Sequence, residues 1–125
     1  MVQTDLSQLS AESKEWRHIL NSYRQEIQDY KDLLPDMCGK PLSKEQLVQV
    51  EQYHNQFHIQ LINIHDVKHA IKNHEQKNLA DENNISEDVY TEHERLLHDF
   101  LTLENRLQEL RSQFNHFVDD ISCLQ

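Results

Sequence analysis

The sequence predicts an all-α fold: an up-down-up antiparallel three-helix bundle with coiled-coil-like packing. Three observations carry that expectation. Apolar residues recur at alternating steps of three and four in three successive stretches, the spacing that lines them up on one face of a helix. The only glycine and both prolines fall within PDMCGKP, Pro35 to Pro41, so the strongest breakers of regular structure are confined to one turn. A helix-start signature, SKEQ from Ser43 to Gln46, follows at once. At 125 residues the chain makes one domain, 1–125, long enough to bury a core if its elements pack along their whole length.

The first helix is expected over about 4–34. Its seam reads Val2, Leu6, Leu9, Ser13, Trp16, Leu20, Tyr23, Ile27, Tyr30 and Leu34, and Pro35 should stop it. The second is expected over about 43–79, because the Ser43 hydroxyl can cap the Gln46 amide while the Gln46 side chain reaches back. Its seam is read as Leu47, Val50, His54, Phe57, Leu61, Ile64, Lys68 and Ile71, decaying to Glu75 and Asn78. NLADENNISED then breaks the pattern, with Asn83, Asn84 and Ser86 as candidate caps. The third helix, about 86–124, has the cleanest seam: Val89, His93, Leu96, Phe100, Leu103, Leu107, Leu110, Phe114, Phe117, Ile121 and Leu124. Short links between long helices force antiparallel neighbours.

Charge and composition narrow the function. With 12 Lys and Arg against 22 Asp and Glu, the formal charge is -10, so no nucleic-acid partner is expected, because a phosphate backbone needs a basic stripe. No membrane partner is expected either: anionic lipid surfaces repel such a chain, and no apolar run nears the roughly 18 residues that span a bilayer. The N-terminal stretch lacks a basic start and an apolar signal core, which points to the cytoplasm. Cys38 and Cys123 make neither a disulfide framework nor a thiolate metal site. An up-down-up path puts them at one end of the bundle, where they are expected as free thiols.

Four histidines crowd into YHNQFHIQLINIHDVKH, Tyr53 to His69. At about 100 degrees per residue His54, His58, His65 and His69 span an arc of about 60 degrees beside the second seam. Imidazoles four apart on one face can chelate a transition metal, so a metal-binding helical protein is the alternative reading, although no cofactor is expected. The plainer reading makes His54 a core residue hydrogen-bonded to Tyr23 and leaves the other three half-exposed. Glu15 with His18, and Glu51 with His54, match the Glu-x-x-His spacing of di-iron bundles. His18 points off the seam, however, and the extra inward glutamates are missing. His93 is expected beside Lys68, Ile71 and Lys72. Protonating all nine histidines would move the formal charge from -10 to about -1.

Catalysis finds no support in a phosphate loop, an exposed nucleophile or a gathered His, Asp and Ser set. Partner binding finds more. Val48, Ile59 and Ile62 lie off the second seam by more than a right angle, and Leu97 and Leu101 do the same on the third helix, which points to a second apolar surface. A non-enzymatic interaction or structural module that self-associates, or binds another protein, is therefore the expected function. Spectrin-type repeats share the three-helix plan and an early Trp, matched by Trp16, but their second Trp has no counterpart in the third helix. The stretches EWRHILNSYRQEI and VEQYHNQFHIQ, together with L-x-x-L-R-x-x-F-x-x-F from Leu107 to Phe117, resemble small uncharacterised all-helical proteins of the Bacteroidetes. That resemblance implies a bacterial origin and no activity.

Overall fold

A computed structural model describes residues 6–39, 41–79 and 87–122. Three helices occupy them: α1 (Leu6–Cys38), α2 (Lys44–Asn78) and α3 (Glu87–Ser122). Among the described residues there is no strand. Contacts between helices fix the up-down-up order. Arg17 near the start of α1 pairs with Glu75 near the end of α2, and Phe57 of α2 meets Phe114 of α3, as antiparallel neighbours must. Between α1 and α3 the numbers rise together, Glu12 with His93, Tyr23 with Glu104 and Glu26 with Arg111, so those two run parallel.

Ser43 starts α2 as expected: its hydroxyl accepts from the Gln46 N–H at 3.1 Å, and the Gln46 side chain accepts from the Ser43 N–H at 2.8 Å. Such a cap stabilises a helix by about 1 kcal/mol. The other end of the turn differs from expectation. Instead of stopping at Leu34, α1 runs through Pro35 to Cys38. Proline lacks one N–H, but its fixed φ is helical, and the extra turn buries Met37 against the core. Gly39 N–H then reaches the Asp36 carbonyl at 3.3 Å. The candidate caps Asn83, Asn84 and Ser86, and the pairing of Cys38 with Cys123, fall outside what the described residues show.

Between Leu9 and Leu34 on α1, and from Val89 to Ile121 on α3, the residues read as seams are the buried ones, with Tyr30 half-buried. On α2 the seam is rotated. Val50, Phe57, Ile64 and Ile71 are buried as expected, but the other buried positions are Gln60 and His74, flanked by half-buried Tyr53 and Val67, whereas His54 is exposed and Leu61, Lys68 and Glu75 are half-buried. Steps of three then four, or four then three, share every second residue, so either stripe fits the period. Packing the Tyr53 ring on Phe57, Phe114 and Phe117 while the His54 imidazole stays exposed decides the choice. Leu61 stays half-buried beside the core, whereas Leu47 faces outward.

Tyr30, Tyr53, Phe57, Phe114 and Phe117 interlock at the end near the first turn, with centroids 4.9 to 6.0 Å apart. At the far end Leu9, Leu79 and Val89 make a small separate cluster.

Candidate functional site, a buried histidine layer

The two apolar clusters are separated by one polar level. Each helix gives it one seam residue: Ser13 of α1, His74 of α2 and His93 of α3, all buried, with the two imidazoles 1% and 4% exposed. Ser13 follows Leu9 and precedes Trp16 in its seam, and so stands where a larger side chain would fill the space the rings use. Nε2 of His74 lies 3.1 Å from Nδ1 of His93, and Nε2 of His93 lies 2.9 Å from Glu12 of α1. Nδ1 of His74 faces the Glu92 carboxylate at 3.6 Å. Trp16 packs its ring on His93 with centroids 4.7 Å apart. Beside the layer, Arg17 clasps Glu75 through two hydrogen bonds of 2.9 and 2.8 Å.

Counting protons shows what this chain of groups can hold. A carboxylate only accepts, so His93 donates from Nε2 to Glu12. Its Nδ1 is then bare and accepts from Nε2 of His74. Two neutral rings bring two protons, which fill these two links. The third contact, Nδ1 of His74 with Glu92 at 3.6 Å, is strengthened by a third proton, which charges the layer. Burial opposes that charge: it pushes the His74 pKa down from 6.5, helped by His93, while Glu92 and Glu75 pull the other way. A fourth proton would set N–H against N–H between the rings. The layer is therefore a hydrogen-bonded imidazole pair that joins three helices.

Ser13 Oγ has no hydrogen-bond partner. A hydroxyl buried in that way costs free energy, so Ser13→Ala is expected to raise stability by up to about 1 kcal/mol. Denaturant unfolding checks this, and a loss of more than about 1 kcal/mol would show that the hydroxyl is bonded.

The sequence-predicted residues lie elsewhere. His54, His58, His65 and His69 are all exposed along one flank of α2, and the rings of His65 and His69 stack with centroids 6.1 Å apart. His54 is thus not a core residue, and the expected Tyr23 to His54 bond is replaced: Tyr23 donates to Glu104 at 3.2 Å and accepts from Gln108 at 3.3 Å. The rotation of the α2 seam turned His54 outward. It also set His74, not Lys68 or Lys72, against His93. Glu15, His18 and Glu51 are exposed. Among the described residues no group of three or more His, Cys, Asp or Glu side chains is assembled for a metal ion, and no helix is long and apolar enough to cross a membrane. Val48, Ile59, Ile62 and Leu101 are exposed, whereas Leu97 is half-buried and packs on the core.

His74 was legible only in pairing: seven residues on from Val67 and three on from Ile71, it falls on the rotated stripe. One groove between α2 and α3, about 580 Å³, is lined by Gln49, Gln52, Gln56, Gln60 and Gln113 among others. These geometries define a class, a three-helix bundle with a buried polar layer. No family model, curated protein or solved structure matches the chain.

Proposed function

We propose that this chain is a non-enzymatic helical interaction module that associates with itself through the outward face of α2. The observation that carries the reading is the exposure of Val48, Ile59 and Ile62, at 53%, 46% and 48%, on the side of α2 turned away from the core. Three large aliphatic side chains on one face of a soluble helix are a recognition feature when a partner covers them. A non-enzymatic role is supported by the described titratable groups. The buried pair His74 and His93 is sealed from any substrate, and one α2–α3 groove is lined largely by amides.

Sedimentation velocity over a concentration series tests it. The chain is expected to shift from monomer to dimer between about 10 µM and 1 mM, the range of a small interface. Val48→Lys with Ile62→Lys should hold it monomeric while changing unfolding stability by no more than about 1 kcal/mol, since both side chains lie outside the core. A wild-type monomer across the whole range would overturn the reading.

A further inference from the structure

On the assumption of self-association through α2, the spacing along that face points to one geometry: we infer that two copies pair α2 against α2, antiparallel, about a two-fold axis through Asn55. Lys44, Val48, Glu51, Asn55, Ile59, Ile62 and Asp66 are all exposed. At about 100 degrees per residue they fall within an arc of about 80 degrees centred opposite the buried stripe. Their steps of four, three, four, four, three and four read the same in both directions. A helix laid antiparallel on its own copy pairs positions symmetric about the centre, which is the self-complementarity a two-fold interface requires.

Centred on Asn55, the pairing sets Val48 against Ile62 of the second copy, twice, and Ile59 against Glu51, twice, where the carboxylate can reach past the aliphatic chain to water at the rim. It also sets Lys44 against Asp66, so unlike charges meet at both ends. Asn55 meets its own counterpart on the axis, where two amides can each donate and accept, and a single polar pair of this kind fixes register in helix pairs. A shift by one turn loses these matches: with the axis at residue 59, Lys44 faces His74, which is buried in its own core, and Ile62 faces Gln56. Charge complementarity therefore selects a second copy of this chain as the occupant, in one register.

Charge exchange separates this register from self-association in general. Lys44→Asp places two carboxylates together at each end of the pair, and Asp66→Lys places two ammonium groups together. Each is expected to weaken the dimer about tenfold at low salt, and Lys44→Asp combined with Asp66→Lys should restore it to within about threefold. Asp66→Lys is the telling variant, because it lowers the net negative charge and would strengthen any unspecific association. Sedimentation equilibrium reads all four proteins. Weakening by both single changes and rescue by the double establish the register. A dimer indifferent to all three variants overturns it while leaving self-association standing, and a wild-type chain that stays monomeric removes both.

Discussion

Phe114→Ala is expected to lower unfolding stability by about 3 to 5 kcal/mol, the usual cost of removing a fully buried aromatic ring. Phe114 is fully buried, with Tyr30 of α1 at 5.0 Å, Tyr53 at 5.2 Å and Phe57 of α2 at 4.9 Å, the last edge to face. It is therefore in contact with both other helices at once. Truncation removes its transfer free energy and leaves a cavity that three aromatic neighbours cannot fill without leaving their rotamers. In a chain of this size the melting temperature should fall by roughly 10 to 20 °C. Leu101→Ala supplies the contrast: it is of similar chemistry on the same helix, but 46% exposed, and should cost no more than about 1 kcal/mol. Comparable losses for the two would mean that Phe114 does not hold the helices together.

How much of this was legible in the sequence differs from helix to helix. On α1 and α3 one stripe dominates, since only scattered apolar residues such as Ile19, Leu97 and Val118 stand beside it, and the buried set follows. On α2 two stripes compete. Leu47 and Leu61 favour one, Tyr53 and Val67 the other, and the difference in apolar content is too small for one helix to settle alone. The partner helices settle it by offering the Phe114 and Phe117 rings to Tyr53 and His93 to His74. The polar layer was half visible for that reason: Ser13 and His93 stood out as polar members of otherwise apolar seams, but their third member sat on the stripe not chosen. Pro35 misled in a simpler way. A proline forbids one hydrogen bond, not a turn of helix, and burial of Met37 decides where α1 ends.

Replacing either member of the histidine pair by leucine should cost about 1 to 3 kcal/mol, because the partner is left buried with a nitrogen facing hydrocarbon. In His93→Leu the Nε2–H of His74 loses its acceptor, and in His74→Leu the Nδ1 of His93 loses its donor. His74→Leu with His93→Leu orphans neither ring, so its cost should fall short of the sum of the singles by about 1 to 2 kcal/mol. Acid supplies the second arm of the test. The folded pKa of His74 lies below 6.5, so between that value and about 6.5 the unfolded chain binds more protons than the folded one, and stability must rise with pH there. The native contribution is thus complete above about pH 6.5 and is lost as the pH falls toward the folded pKa. Glu12 faces His93 from α1, and Glu75 and Glu92 act on His74 and limit its loss without reversing it, because burial outweighs them. Denaturant unfolding at about pH 7.5 and 5.5 should show wild type weakening in acid and the double variant weakening less. A wild-type chain that gained stability on acidification would mean that the layer prefers the charged state, held by its carboxylates.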